Sequence, residues 1–381
     1  MQPSVIISAL VAVFVGFAGS VAIVLEATKA VGATPEQTSS WIAALCVAMA
    51  VTTAILSIRH RMPIITAWST PGAALIAASS GIAINAAVGA FLFAAVLILL
   101  TASIRPLSDL IGRIPTSIAS AMLAGVLFSF VIALFPFMTQ LPALVIPMVV
   151  AFVVLRLFSP VWAVLIVFAL GIILSFALGL VGPPVPIHLT RFVWITPEFQ
   201  ASTLIGLGLP LYLVTMASQN LPGFAVLKAS GYTPPSRSIL AVTGGLSFLT
   251  APFGAHTSNL AAITASICAG EDAHPNKAKR WLCGPFYAAG YAALAIAAAS
   301  VVALFARFPS ALIATIAGIA LFAPFIASLT ASVKDDAHRF AGVTTFLVTA
   351  SGIQAFSIGS AFWGLLAGLI IFALDQTRAG T

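Results

Sequence analysis

The sequence predicts an all-α polytopic membrane protein of about fourteen transmembrane segments in a 7+7 inverted repeat. Three observations carry that prediction. The composition suits no water-soluble globule, the few basic residues fall on one side, and two sequence echoes tie a segment to the seventh one after it.

Of 381 residues, 61% are hydrophobic and 7% charged, and the mean hydropathy is +1.15. Soluble domains run near half apolar and about a quarter charged. Nine acidic and sixteen basic side chains cannot cover a soluble protein of this length, so the solvent is largely lipid. A span takes about 20 apolar residues, roughly 27 with its connection. That leaves no room for a sizeable soluble domain.

The first apolar run follows Met1-Gln2-Pro3-Ser4, which carries no basic residue. It is expected to be a span, 4–25, and not a removed signal. Charged and Pro/Gly clusters then delimit segments at 38–58, 64–80, 83–103, 115–135, 139–157, 160–181, 203–227, 237–250, 256–270, 281–305, 310–331, 339–353 and 356–374. The third, ninth, tenth and thirteenth are too short to cross comfortably as simple helices. Cys46, Cys268 and Cys283 lie in or beside apolar runs without metal-ligand spacing. They read as packing residues, and neither disulfide framework, metal site nor cofactor is indicated.

If the segments alternate, one face collects Arg59, Arg61, Arg105, Arg113, Arg156, Lys228, Arg237, Lys277, Lys279, Arg280, Lys334, Arg339 and Arg378, thirteen of the sixteen basic residues. The other face receives Lys29, Arg191 and Arg307. This is the positive-inside asymmetry, and it predicts cytoplasmic termini. It also accounts for the net charge of +7 without a nucleic-acid partner.

Val24-Leu25-Glu26-Ala27 with Gly32-Ala33-Thr34-Pro35 is echoed by Val226-Leu227-Lys228-Ala229 with Gly231-Tyr232-Thr233-Pro234. Arg113-Ile114-Pro115-Thr116 is echoed by Arg307-Phe308-Pro309-Ser310. Both echoes join segment n to segment n+7. The predicted units are therefore 1–185 and 198–381, joined through the Pro-rich stretch 181–197. Seven is odd, so the second copy enters from the opposite face, an arrangement common among secondary transporters.

Each half has a broken third segment. Pro63 to Ser69 is β-branched and extended in character, and Thr70 to Ala78 reads as a short helix with Thr70 as N-cap and Pro71 as first helical residue. In the tenth segment Leu249 to Asn259 is interrupted by Pro252 and Gly254, and Leu260 to Ser266 continues as a short helix with Thr or Ser available to cap it. Non-helical backbone at membrane depth needs protein or a watery cavity around it. With opposite entry, both half-helix N-termini face the centre and their free N–H groups form an anion site. This predicts an anionic substrate, or one with acceptor groups in place of a charge. The alternative is that Pro71, Gly72, Pro252 and Gly254 simply kink ordinary spans.

Thr66-Ala67-Trp68-Ser69-Thr70-Pro71-Gly72-Ala73-Ala74-Leu75, Met216-Ala217-Ser218-Gln219-Asn220-Leu221-Pro222-Gly223 and Ala251-Pro252-Phe253-Gly254-Ala255-His256 resemble the bacterial benzoate transporter family, the benzoate/proton symporters. The resemblance covers essentially the whole chain. It implies a fold related to uracil-permease-type nucleobase transporters, with a core domain (1–103 plus 203–305) and a gate domain (113–181 plus 308–375). It also implies a bacterial inner-membrane location and homodimerisation through the gate. Nucleobase members hold their substrate with acidic residues on the eighth segment and the tenth half-helix. This chain has Ser218 and Ser258 near those places, which suits an anion that carboxylates would repel.

The candidate substrate site is Trp68, Ser69, Thr70 and Gly72, with Ser218, Gln219 and Asn220, and Phe253, Gly254, His256, Thr257, Ser258 and Asn259. Thr215, Ser218, Gln219 and Pro222 share a helical face, and the amides read either as interhelical bonds or as ligands of a substrate carboxylate. His256 is the sole histidine predicted at membrane depth, and no Asp or Glu is predicted there, Glu26 at the outer end of the first segment being expected to form an interfacial ion pair with Lys29. It is the first choice for proton coupling. The alternative is that the substrate carries the proton. Trp68 and Phe253 either sandwich an aromatic ring or pack.

No P-loop, metalloprotease or nucleophile-elbow motif is visible, which argues against an enzyme and against direct ATP coupling. The expectation is a secondary carrier for benzoate or a close aromatic carboxylate, taken up with protons. The alternative is a carrier or channel for another small anion or a nucleobase-like solute.

Overall fold

The computed structural model describes residues 3–79, 81–104, 115–158, 160–183, 189–356 and 358–379. Arg105, Arg113 and Ile114, used in the charge count and the second echo, lie outside them. The protein is mostly helical, and among the described residues seven helices are long and apolar enough to cross a membrane.

Helices α1 (Pro3–Ala18) and α2 (Val21–Ala30) form one bent rod. The bend falls at Gly19-Ser20, where the Ser20 hydroxyl donates to the Gly16 carbonyl and accepts the Trp68 indole N–H at 2.9 Å. Helix α3 (Pro35–His60) starts at a capping box between Thr34 and Gln37, with Pro35 in its first turn. It stops at Arg61, which adopts the left-handed conformation at φ 51°.

Strand β1 (Thr66–Trp68), helix α4 (Thr70–Ala77) and helix α5 (Ile84–Ser103) follow. Next come α6 (Thr116–Ala133), α7 (Phe135–Gln140), α8 (Pro142–Leu155) and α9 (Pro160–Ala177). Residues 189–200 then run without helix or strand as a strap. Its backbone bonds Ile296 through Thr190, the Ser40 hydroxyl through Val193, Pro252 through Ile195 and Asn85 through Glu198.

Helix α10 (Ala201–Ala229) is continuous but widens into π turns at Leu204–Gly208 and Met216–Asn220. Each π turn is followed by a proline, Pro210 and Pro222, whose missing N–H would break a regular helical ladder. Then come α11 (Ser236–Thr250), β2 (Ser258–Leu260), α12 (Ile263–Ala269), α13 (Cys283–Ala306), α14 (Ser310–Val333), α15 (Arg339–Ala350) and α16 (Ser360–Ala379).

Packing partners exchange in a regular way. Helix α3 lies along α13, and α11 along α5; α4 packs on α2 and α10, and α12 on α1 and α10. Helix α14 lies along α6, while α15 and α16 pack on each other and on α6. The α15–α16 contact is close because Thr345 and Thr349 nest against Gly368 and Gly364, where any Cβ would collide with their hydroxyls. Cys46, Cys268 and Cys283 are all buried.

The broken segments meet as a two-stranded antiparallel ribbon, with Thr66 opposite Leu260, Ala67 opposite Asn259 and Trp68 opposite Ser258. Extended backbone at this depth is thereby paired. Because the ribbon is antiparallel, α4 and α12 leave it in opposite directions.

Two sequence expectations need correction here. Ser69, not Thr70, is the N-cap of α4, its hydroxyl accepting the Gly72 N–H at 3.1 Å. The helix of the tenth segment begins only at Ile263, with Ala262 at the cap position and no side-chain cap. Residues 258–260 are strand because β1, the Ser247 hydroxyl and the Asn220 amide oxygen take up their backbone groups.

Candidate functional site

The ribbon turns Ser69 into a junction. Its N–H donates to the Thr257 carbonyl at 3.0 Å, and its hydroxyl accepts from Thr215 at 3.2 Å. Thr215 and Thr257 share a hydroxyl hydrogen bond of 2.7 Å. All three side chains are buried, so they lock α4, α10 and the approach to β2 together.

His256 is also buried, with both ring nitrogens occupied. The Trp41 indole donates to Nδ1 at 3.1 Å, and Nε2 lies 3.1 Å from the Ser69 carbonyl. Indole N–H can only donate and a carbonyl only accept. Nδ1 is therefore bare, Nε2 carries the hydrogen, and the ring is the neutral tautomer. It acts as a bridge from α3 to the cap of α4.

A helix start leaves its first N–H groups for caps or ligands. At α4 the Ser69 N–H is used by Thr257, the Gly72 N–H by the Ser69 hydroxyl, and Pro71 has none. Thr70 alone keeps an amide for a ligand, fewer than the sequence reading expected. At Gly72 a Cβ would stand 2.6 Å from a Leu211 methyl, so this glycine serves the α4–α10 contact. Gly254 has φ 96°, and a Cβ there would press on Trp41.

Asn220 is buried and structural, its Oδ1 accepting the Leu260 N–H at 3.0 Å. Asn259 donates to the Leu260 carbonyl at 2.7 Å and to Gln219 Oε1 at 3.5 Å. The Ser258 hydroxyl and Asn259 Oδ1 are buried without a partner. Trp68 packs against Phe17 and Tyr291, whereas Phe253 packs against Phe192 and Trp194.

Beside this junction lies a cavity of about 290 Å³. Pro71 of α4 and Leu213, Ala217, Ser218, Gln219, Leu221 and Pro222 of α10 form one wall. The opposite wall comes from α6 (Ala119, Ser120, Met122, Leu123), α14 (Pro324, Ala327, Ser328) and α16 (Leu365). Ser218 and Gln219 are the predicted residues that line it. The α6, α14 and α16 wall was missed, because isolated serines in apolar helices carry no motif. Pro324 inside α14 was the one available signal. A second cavity, about 280 Å³, lies at the other end of α4 among Leu75, Ser79, Ser129, Thr349 and Ser360.

A helical membrane protein with two broken segments paired inside it and a solute-sized cavity beside them belongs to the class of membrane transporters. The chain belongs to the benzoate membrane transport protein family, whose model matches residues 1–374. It is 37% identical over 376 residues to the inner membrane protein YdcO of Escherichia coli (strain K12), covering 98% of this chain and 96% of that one. It is 36% identical over 371 residues to a benzoate membrane transport protein of Acinetobacter baylyi, covering 97% and 94%. The fold is similar to the transmembrane domain of the cyanobacterial bicarbonate transporter BicA, with a TM-score of 0.61 at 15% identity over 97% of each chain. The chain is a transporter, not an enzyme.

Proposed function

We propose that the protein takes up benzoate or a close aromatic carboxylate together with protons across a bacterial inner membrane, with both termini in the cytoplasm. The observation that carries the substrate reading is the cavity beside Pro71. Its walls are mainly apolar, as a ring requires, with the Gln219 amide and the Ser120, Ser218 and Ser328 hydroxyls for a carboxyl group. Membership in the benzoate transport family supports the same choice.

In this reading α1–α5 and α10–α13 form the core and α6–α9 and α14–α16 the gate, through which two copies meet as a homodimer. The exchanged packing of α3 with α13 and α11 with α5 supports a 7+7 inverted repeat of fourteen segments. The two cavities at opposite ends of α4 support access from each side in turn as core moves against gate. Ser218 and Gln219 touch the substrate directly, with Thr70 reaching it by its amide. Ser69, Gly72, Asn220, Gly254, His256, Thr257, Ser258 and Asn259 hold the ribbon and the start of α4 in place, and Trp68 and Phe253 pack around it.

The test is uptake of labelled benzoate into proteoliposomes, with and without an inward proton gradient and with uracil and sulfate as competitors. Gradient-driven accumulation that neither competitor blocks is the expected result. If no aromatic acid accumulates, the proposal fails.

A further inference from the structure

We infer that the cavity beside Pro71 takes the undissociated aromatic acid, so that the proton travels on the substrate's own carboxyl group. This rests on the reading of that cavity as the substrate site.

The backbone of α10 provides the first argument. In the second π turn the Leu221 N–H closes on the Met216 carbonyl, five residues back. The next carbonyl in that register, Ala217, would need an N–H from residue 222, which is proline. Ala217 therefore presents a carbonyl oxygen without its helical donor, and Ala217 and Pro222 both line the cavity. An acceptor at a cavity wall wants a hydrogen-bond donor. A carboxylic acid O–H is one, whereas a carboxylate brings only more lone pairs.

Gln219 complements this. Its Oε1 is held by Asn259 at 3.5 Å, which leaves the NH₂ group to donate to the acid's carbonyl oxygen. A donor from Gln219 and an acceptor at Ala217 match the two ends of a neutral carboxyl group.

Charge gives the second argument. Among the described residues none that lines the cavity is ionisable, and burying an anion without a paired cation is costly. On the lining elements, Tyr212 bonds Thr101 of α5, and Lys228 and Asp375 are exposed near helix ends. Lys334, Asp335, Asp336, His338 and Arg339 lie at the end of α14 and the turn after it, and Arg105, Asp109 and Arg113 lie outside the described residues. His256, behind the ribbon, has both nitrogens committed to Trp41 and Ser69. An O–H bond thus forms on the carboxylate with a proton from hydronium on the loading side, which leaves water, and the same bond breaks on release, returning the proton to water on the other side.

The experiment uses the purified full-length protein in detergent and equilibrium binding of labelled benzoate across pH. The dissociation constant for total benzoate is expected to rise about tenfold per pH unit above the acid's own pKa. Calorimetry in two buffers of different ionisation heat is expected to show about one proton taken up per ligand. Both results persist in His256→Gln, checked for folding by its melting temperature. Benzamide, uncharged at every pH, competes with a pH-independent constant, and benzenesulfonate, charged at every pH, does not compete. A pH-independent constant for benzoate, effective competition by benzenesulfonate, or proton uptake lost in folded His256→Gln would each overturn the inference. Should the histidine variant fail to fold, the wild-type pH series and the two competitors decide the question. Absence of saturable benzoate binding at any pH is a different failure, because it removes the cavity as a substrate site.

Discussion

The Trp41 indole donates to Nδ1 of His256 at 3.1 Å across 215 residues of sequence. A residue on α3 thereby sets the tautomer of a residue on the approach to β2, and through it holds the carbonyl of Ser69, the N-cap residue of α4.

Trp41→Phe keeps the ring packing and deletes the donor. A buried acceptor left unpaired costs about 1–3 kcal/mol. The variant is expected to unfold at lower denaturant concentration in detergent, and an unchanged midpoint would deny His256 its bridging role.

Gln219 and Asn220 are sequence neighbours with opposite expected phenotypes. Asn220→Leu strands the Leu260 N–H in the interior and should cost about 1–3 kcal/mol of stability. Gln219→Leu faces the cavity and gives up only the long 3.5 Å bond from Asn259, whose amide keeps the Leu260 carbonyl, so its stability cost should be smaller, under about 1 kcal/mol. Its uptake KM should rise about tenfold, the size of one ligand hydrogen bond. Melting temperatures and uptake kinetics of the two variants, measured side by side, check the contrast.

Ser69→Ala removes the N-cap of α4 and the acceptor for Thr215. The cap alone is worth about 1 kcal/mol. Ser69→Gly gives back some of the cap but not the Thr215 bond, so the order wild type, glycine, alanine is expected in thermal stability.

Gly89→Ala tests the strap, because a Cβ there would stand 2.1 Å from the Glu198 carbonyl oxygen. Overpacking of this kind costs about 1–3 kcal/mol. Faster hydrogen exchange at the Ile195 and Glu198 amides is the expected sign of a lifted strap; unchanged exchange would mean that α5 yields instead.

The long apolar helices and both broken segments were legible in the sequence, because hydropathy and Pro/Gly punctuation are local signals. The start of α3 was read late, at 38 and not at Pro35, because Gly32-Ala33-Thr34 served only as a repeat echo and the capping pair of Thr34 with Gln37 went unread. The ribbon register was not legible. It depends on Asn220 and Ser247 offering side-chain oxygens to Leu260 and Ser258, contacts across 40 and 11 residues that leave no periodic trace. The roles of the candidate site residues were mixed for the same reason. A polar residue at membrane depth must find a partner, but the sequence does not say whether that partner is protein or solute. His256 found Trp41 and Ser69, whereas Gln219 kept a face toward the cavity.

The ribbon also imposes an order of events on synthesis. Ser258 follows its partner Trp68 by about 190 residues, about 10–40 s of translation at ordinary rates. During that interval the first strand has the partners that the first half supplies: the Thr52 and Thr53 hydroxyls and the Met49 carbonyl on Thr66, the Met49 sulfur on the Trp68 N–H, and the Ser20 hydroxyl on its indole. The nascent first half thus waits in the bilayer with one edge of its central strand satisfied and the other open.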